Sequence, residues 1–296
     1  ILSQLLMANS RMPFRELADE LGLSVNAVHK RVKALMEANI IRGYRARINL
    51  SILRAVLVMI FGSSAARPID DVPGRLQQND STYWVALAGG NNLYVGAYLE
   101  DIFKLEQYVA FVKKEAQIWE PIVGIWNPPP VAGKLSTLDY QIIYSLHRDA
   151  RKPVLEVADQ LGVSVRRVQR HLMRMLREGL VEMTMEWYPD TSNDIFTMLH
   201  LQLRAQAEQA KAETMLMQRY RPNFLFSLSF SNLPNLILCW VWTNTMKELK
   251  DLLDRLRSEE TIESIVPNIL YTGYLFDTWR DRLLMERASP GLRRAL

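Results

Sequence analysis

The chain contains little cysteine and little histidine, and this limits the chemistry open to it. One cysteine in 296 residues rules out an intrachain disulfide, so we predict a reducing, cytoplasmic location. Cys239 lies in the apolar run 236–242, which predicts that it is buried. The four histidines are scattered and have no paired cysteines, so the sequence predicts no metal site; they are His29, His147, His171 and His200.

Long apolar runs and common catalytic motifs are also missing. No stretch approaches the ~20 apolar residues that cross a bilayer, and the first residues do not resemble a cleavable signal, so we expect no membrane partner. The sequence has neither a Gly-Lys-Ser phosphate loop nor a Gly-x-Ser-x-Gly turn. Tryptophans such as Trp84 and Trp240 lie on strand patterns, where packing explains them. We therefore predict no enzyme activity, no catalytic residues and no cofactor.

One segment of the chain occurs twice, 140 positions apart. The repeated residues are Glu16, Ala18, Asp19, Leu21, Gly22, Ser24, Val25 and Val28, and then Glu156, Ala158, Asp159, Leu161, Gly162, Ser164, Val165 and Val168. Each copy predicts a helix, a tight glycine turn and a second helix, which is the pattern of a DNA-binding helix-turn-helix. The second copy opens with Ser136 to Asp139, so we expect the first to lack a few residues before Ile1.

The second helix of each copy carries the positive charge. Residues 164–178 hold five arginines and one acid, although the net charge of the chain is only +4. Helical spacing predicts an inward apolar stripe of Val25, Val28, Val32 and Leu35, repeated as Val165, Val168, Leu172 and Met175. The outward residues are then predicted to contact DNA, together with arginines of the following wing: Asn26, His29, Lys30, Lys33, Arg42, Arg45, Arg166, Arg167, Gln169, Arg170 and Arg174.

The two predicted recognition helices differ in strength. Arginine can bind guanine or phosphate through two parallel hydrogen bonds, so the second helix is predicted to be the stronger contact. In the wing that follows it, Glu182 and Glu186 are expected to repel phosphate. Charges that only solvate a helix face are the alternative, but two copies with the same turn, cap and apolar stripe favour DNA binding.

Strand and helix periodicities outside the repeats predict two further βαββαβ units. The first has strands at 83–88 and 93–99 with helices near 69–78 and 102–116; the second has strands at 224–230 and 236–242 with a helix at 246–258. The fold class is α+β, a tandem duplication of winged helix-turn-helix plus ferredoxin-like unit. The predicted domains are 1–50 (helix-turn-helix), 51–127 (effector and oligomerisation), 128–135 (proline-rich linker), 136–190 (second helix-turn-helix), 191–276 (second βαββαβ) and 277–296 (a tail that packs on a neighbouring unit).

The segment Leu17 to Ser24, followed by Val28, Lys30, Arg31 and Val32 and then by Ile40 to Tyr44, resembles the Lrp/AsnC family. The resemblance implies a transcriptional regulator that dimerises through its sheet domains. Members commonly carry one helix-turn-helix and one sensing domain per chain, so two pairs imply a covalent pseudo-dimer. Its two heads would bind the halves of an imperfect palindrome in double-stranded DNA, ~34 Å apart or a multiple of that. Exposed sheet faces imply homo-oligomers.

The resemblance also implies a small effector, such as an amino acid, at the loop between the second and third strands. In this chain that loop contains Gly89, Gly90, Asn91 and Asn92. Gly89 matches the family glycine, whereas Asn92 stands where an acid is common, and an amide cannot balance an ammonium group. A hairpin turn without a ligand is the alternative. The corresponding loop 229–234 has no glycine and is expected to be structural.

Two other functions fit this architecture. Sirohaem decarboxylases also resemble a helix-turn-helix joined to this βαββαβ domain and work as paired halves. Their chemistry needs histidine and basic residues around a tetrapyrrole, with no need for a basic recognition helix, so residues 166–177 favour DNA binding. The third possibility is an architectural DNA-binding protein without an effector. A steep salt dependence would support either DNA function.

Overall fold

The computed structural model describes residues 1–126, 128–188 and 192–289. It divides into two compact units, and each contains residues from both halves of the chain. Among the described residues, the sheet unit contains 1, 56–126, 188 and 192–276, and the helical unit contains 2–55, 128–187 and 277–289. The predicted domain boundaries at 127 and at 190–191, and Pro290 and Gly291 of the predicted tail, lie outside the described residues.

The elements follow the predicted order in both halves. In the first half they are α1 (Leu2–Ala8), α2 (Phe14–Leu21), α3 (Val25–Glu37), β1 (Ile41–Ile48), α4 (Leu50–Leu53), β2 (Val56–Ser63), α5 (Val72–Leu76), β3 (Thr82–Ala88), β4 (Asn92–Leu99), α6 (Leu105–Ala116) and β5 (Ile122–Trp126). In the second half they are α7 (Thr137–Leu146), α8 (Val154–Leu161), α9 (Val165–Arg177), β6 (Val181–Trp187), β7 (Ile195–Leu203), α10 (Gln209–Arg219), β8 (Phe224–Ser229), β9 (Leu236–Thr243), α11 (Met246–Arg257), β10 (Ile262–Leu275) and α12 (Trp279–Ala288).

The first helix of the sheet unit is shorter than predicted. Residues 69–71 form a turn of 3₁₀-helix, and α5 ends at Leu76. Pro73 and Gly74 fall inside it, and both residues disfavour a longer α-helix.

The glycine turns of the two repeats have the same geometry. Gly22 and Gly162 have φ of +62° and +64°, and each follows the last residue of its helix. The serine two residues later caps the next helix: Ser24 Oγ accepts from Ala27 N at 3.2 Å, and Ser164 Oγ accepts from Arg167 N at 3.3 Å. The local sequence therefore fixes where each recognition helix begins.

We predict that Gly162→Val destabilises the protein by about 1–2 kcal/mol, because a side chain is strained at positive φ. An added Cβ would meet no atom within 4 Å, so the cost is conformational and not steric. Chemical denaturation measures it. Asparagine tolerates this backbone region, so Gly162→Asn is the matched control and should lose less. Equal losses for both variants, or none for valine, would contradict the explanation.

The sheet unit is built on one eight-stranded sheet, ordered β5-β2-β4-β3-β10-β7-β9-β8. Within each half the strands take the order fourth, first, third, second, which is the ferredoxin-like arrangement. The halves join where β10 pairs with β3, from Leu270 opposite Ala88 to Leu275 opposite Trp84. The predicted packing of one βαββαβ unit on the other is therefore a continuous sheet with a shared apolar cluster.

A polar contact crosses the interface between these halves. The hydroxyl of Tyr94 on β4 lies 2.7 Å from Nε2 of His200 on β7. Phe61 packs edge-on against the imidazole, with ring centroids 5.0 Å apart. Burial lowers the pKa of His200 from 6.5 to about 4 and raises the pKa of Tyr94. His200 is therefore neutral near pH 7.

The buried His200 predicts a loss of stability in mild acid. Between pH 6.5 and about 4, the unfolded chain binds a proton that the folded imidazole does not, so the free energy of unfolding falls as the pH falls through this window. Denaturation from pH 7.5 to 4.5 should give a shallower pH dependence for His200→Gln. Burial also lowers the pKa of His147, which titrates in the same direction, so only the difference between wild type and variant reports His200.

The described residues include Cys239 and the first part of the C-terminal tail. Cys239 on β9 is 1% exposed, as its apolar run predicted, and burial raises the pKa of its thiol. The described part of the tail forms α12, which packs on α7 and β1 within the helical unit. No helix in the described ranges is long and apolar enough to cross a membrane.

Candidate nucleic-acid interface

The second recognition helix, α9, presents a basic face to solvent. Val168, Leu172 and Met175 are 5% exposed or less and hold the helix against the core. The opposite side exposes Gln169 and three arginines, Arg166, Arg167 and Arg170. Within the described residues, no hydrogen bond or ion pair engages these three guanidinium groups. They are therefore available to phosphate oxygens and to guanine.

Arg174 corrects the prediction that every polar residue of α9 faces outward. Its guanidinium donates to Asp139 on α7 at 2.6 Å and to Glu178 at 3.2 Å, and 31% of its side chain is exposed. Asp139 is fully buried, and it also lies 2.8 Å from His171 Nδ1. Arg174 therefore fastens the recognition helix to α7, and its position at one helical turn from Arg170 was not enough to predict its orientation.

The Asp139 carboxylate is stabilised in its charged form. Burial acts to raise its pKa, but hydrogen bonds from the Ser136 side chain and backbone, from His171 and from Arg174 outweigh burial and hold the pKa below the ordinary value. Ser136 and Asp139 also form a reciprocal capping box at the start of α7. This network orients α9 from its inner side.

The first recognition helix, α3, has a weaker basic face. Asn26, His29, Lys30 and Lys33 are all exposed, as predicted. The His29 ring packs on Phe14 of α2 with centroids 3.9 Å apart, and Lys33 lies 3.6 Å from Glu37. The inward stripe contains Val28 and Val32 at 3% exposure or less, Leu35 is half-buried, and Val25 at 39% exposure lies outside the stripe.

The two predicted wings pair with each other and are not separate hairpins. Strands β1 and β6 run antiparallel, with Arg45 opposite Thr184 and Ala46 opposite Met183. Each strand follows its own recognition helix after a short turn, so this ribbon joins the C-terminal ends of α3 and α9. A pairing across 140 residues leaves no local signal in the sequence.

This ribbon corrects the interpretation of Arg45 and of the wing acids. The Arg45 side chain is 11% exposed; its Nε donates to Glu186 at 2.7 Å, and its Nη1 lies 3.3 Å from Asp277. It is an internal ion pair and not an outward DNA contact, whereas Arg42 is exposed. Glu186 is neutralised by Arg45, and Glu182 pairs with Arg280 at 2.5 Å, so neither stands as the isolated carboxylate expected to repel phosphate.

The same region brings together a histidine and two carboxylates that sequence reasoning did not single out. Ligand atoms of His147, Asp277 and Asp281 lie within 4.8 Å of one another. Arginines already occupy these carboxylates: Arg148 lies 2.5 Å from Asp277, and Arg47 lies 3.5 Å from Asp281. The cluster is best described as an ion-pair network that holds α12 on the helical unit, because adding a cation among arginines would be repulsive.

The predicted effector loop is a closed turn in the sheet unit. Residues 89–91 form a 3₁₀ turn between β3 and β4, with φ of +68° at Gly90. The Asn92 side-chain amide donates to Gly89 O at 2.8 Å and to Asn268 Oδ1 at 3.3 Å. Asn91 O accepts from Ser64 N at 2.9 Å. These bonds account for a hairpin turn, the alternative that the sequence left open.

Sequence and structure comparisons place this arrangement among known proteins. A family model described as winged helix-turn-helix DNA-binding matches residues 1–42 and 135–182. The HTH-type transcriptional regulator LrpA of Pyrococcus horikoshii is 37% identical over 94 residues, which is 31% of this chain and 67% of that protein. LrpA of Mycobacterium tuberculosis is 32% identical over 128 residues, which is 40% of this chain and 85% of that protein.

A fold comparison covers the whole chain. The crystal structure of the siroheme decarboxylase NirDL matches with a TM-score of 0.58 at 13% identity, over 98% of this chain and 97% of that one. At this identity the likeness shows the fold alone.

The duplicated winged helix-turn-helix, its exposed basic helices and the ferredoxin-like sheet together define a DNA-binding regulator of the helix-turn-helix class. The chain belongs to the Lrp/AsnC family of transcriptional regulators.

Proposed function

We propose that this regulator binds double-stranded DNA as a single-chain pseudo-dimer. Its second helix-turn-helix head, residues 137–187, supplies most of the affinity, and the first head is residues 2–48. The observation that carries this proposal is the pair of recognition helices within one compact unit, each with the same glycine turn, serine cap and outward polar face. Arg166, Arg167, Gln169 and Arg170 make the main contact, and Asn26, His29, Lys30, Lys33 and Arg42 make the lesser one. Arg174 supports α9 from behind.

The unlike helices favour an operator with unlike halves. The second head has three unpaired arginines on its exposed face within the described residues, whereas the corresponding positions of the first head are Asn26, Ala27 and Lys30. The operator is therefore an imperfect palindrome in which one half-site contributes more binding energy. Such a regulator acts in the compartment that holds the DNA, so we propose a cytoplasmic location.

Control by a small molecule and assembly through the sheet unit are further parts of the proposal. The closed turn at 89–92 offers an amino acid no carboxylate for its ammonium group, so an effector of the amino-acid type would need groups outside this turn. Trp119 precedes the edge strand β5 and Ile122 is its first residue; at 70% and 43% exposure they offer apolar surface for a second copy. Sedimentation with and without a panel of amino acids tests both points.

Selection from a random duplex library with the full chain tests the proposal. We expect enriched sequences with two unlike half-sites and an affinity that falls steeply with salt, because phosphate contacts release counterions. Recovery of no preferred sequence, together with weak binding that is equal for all duplexes, would contradict sequence-specific binding and favour an architectural role.

A decarboxylase is the second candidate, because the fold match to NirDL spans nearly the whole chain. Within the described residues each histidine has a partner. His29 packs on Phe14, His147 bonds to the Ala46 carbonyl oxygen, His171 bonds to Asp139, and His200 bonds to Tyr94. We propose that the chain is not an enzyme. A purified protein that absorbs as a tetrapyrrole complex and converts it would contradict this.

A further inference from the structure

Two arginines at equivalent positions of the repeat tie the heads to each other. The first head is residues 2–48 and the second head is residues 137–187. Arg11 Nη1 donates to the carbonyl oxygens of Ala150 and Lys152 at 2.5 and 2.9 Å. Arg151, 140 positions later, donates in return to carbonyl oxygens in loop 10–12 of the first head, at 3.3 Å in the longer contact. The two sets of bonds are therefore related by a pseudo-twofold axis.

Main-chain bonds repeat this reciprocity, and a ring contact of Arg151 adds to them on one side. Ser10 N donates to Met183 O at 2.9 Å, and Ala150 N donates to Tyr44 O at 3.1 Å, so each loop is fastened to the ribbon strand of the other head. The Arg151 guanidinium also lies 4.4 Å from the ring centroid of Phe14. One continuous apolar cluster includes core residues of both heads. Within the described residues, the ribbon and these loops join the heads directly.

We infer that Arg11 and Arg151 fix the separation of the two recognition helices, so that the chain reads half-sites of a single spacing. This inference rests on the proposed function, since it concerns how the same two helices meet DNA. Heads on a flexible tether can adjust to several spacings. One packed body cannot, because each inserted base pair moves the second half-site by about 3.4 Å and turns it by about 35° around the helix.

The first test measures, without DNA, whether the separation of the two recognition helices is fixed. Lys33 and Met173 occupy equivalent exposed positions on α3 and α9, so nitroxide labels at Lys33→Cys and Met173→Cys report the separation of the helices. Cys239 is buried and should not be labelled. By pulsed electron paramagnetic resonance we expect one narrow distribution of distances between the two labels. In a chain that also carries Arg11→Lys and Arg151→Lys the distribution should broaden, since lysine keeps the charge but lacks the rigid planar guanidinium that binds two carbonyl oxygens.

The control for that test is Arg15→Lys, which changes an exposed arginine of the first head. It should leave the distribution unchanged. A broad or bimodal distribution in the chain with both native arginines would overturn the inference, and so would an unchanged narrow distribution in the double lysine variant.

The second test measures the consequence on DNA. Insertion of one or two base pairs at the centre of the selected duplex should weaken wild-type binding by about tenfold or more, which is comparable to losing a base contact. The double lysine variant should bind the original duplex nearly as well and lose less on insertion. Wild-type affinities that stay equal across all spacings would overturn the inference. If the label distance distribution is narrow but the library selection enriches no duplex, the proposed function is contradicted, whereas the fixed separation of the helices is supported.

Discussion

Replacing Arg167 and Arg170 with alanine should lower the affinity for the selected duplex about 100-fold or more, because each exposed arginine contact contributes about 1–3 kcal/mol. The slope of log affinity against log salt should also fall by about one for each phosphate contact removed. Both side chains are exposed on the face of α9 that is turned away from the apolar core, so the melting temperature should change little. Fluorescence anisotropy over a salt series measures the first two effects, and calorimetry measures the third.

Two controls separate this effect from a general loss of positive charge. Lys211→Ala with Lys250→Ala removes two positive charges from exposed side chains of the sheet unit and should leave DNA affinity nearly unchanged. Asn26→Ala with Lys30→Ala alters the first head and should weaken binding, but by less than the arginine pair. An equal loss in all three double variants, or a fall in stability that matches the loss of affinity, would contradict the assigned role of α9.

Gly124→Ala should destabilise the sheet unit by about 1–3 kcal/mol, the usual cost of overfilling a packed core. An ideal Cβ on Gly124 would lie only 2.4 Å from Cδ1 of Phe230, whose ring from the second half lies directly over the glycine on β5. An aromatic ring cannot fold away as the end of a flexible side chain can. Urea denaturation measures the change in the free energy of unfolding.

The matched control is Gly74→Ala in α5, where an added Cβ would meet no atom within 4 Å. Alanine favours a helix over glycine, so this variant should be neutral or slightly stabilising. Shrinking the ring with Phe230→Leu should relieve part of the cost of Gly124→Ala, which gives a favourable coupling in the double variant. Additive losses would show that the ring and the glycine do not compete for the same space.

The same interface shows why the sheet halves have no obvious sequence repeat. Strand pairing places Gly124 opposite Met59 in the first half and Asn268 opposite Met198 in the second, so the two occupy equivalent positions. Gly124 receives the Phe230 ring, whereas Asn268 bonds to Asn92. At this position the faces of the two halves are complementary and not identical, so different residues are required there.

The helix-turn-helix could be predicted because its signals are local. A glycine at positive φ, a serine cap and apolar residues at helical spacing act within a few residues of one another, and they place α3 and α9 correctly. Strand alternation predicted the βαββαβ order for the same reason. What failed was the orientation of Arg45 and Arg174, because their partners Glu186 and Asp139 come from other elements.

Long-range assembly was likewise beyond a reading of local patterns. The first wing pairs with a strand 140 residues away. Asp277, just before α12, and Asp281, within it, pair with Arg45 and Arg47 of the ribbon. The repeat itself predicted that two heads exist, but not that they share one core. Arg11 and Arg151, which form the reciprocal bonds between the heads, are also 140 positions apart in the sequence.

Hydroxyl-radical footprinting of the selected duplex, with native mass spectrometry to count chains, tests the central claim most directly. We predict a ratio of one operator to each chain at saturating DNA, whether or not copies assemble through the sheet unit. Each operator should show two protected segments on one face of the DNA, whose centres lie ~34 Å apart or a multiple of that. The half-site bound by α9 should stay protected at higher salt than the other. Protection of a single segment by one chain, or of two segments only when two chains are bound, would contradict the single-chain pseudo-dimer.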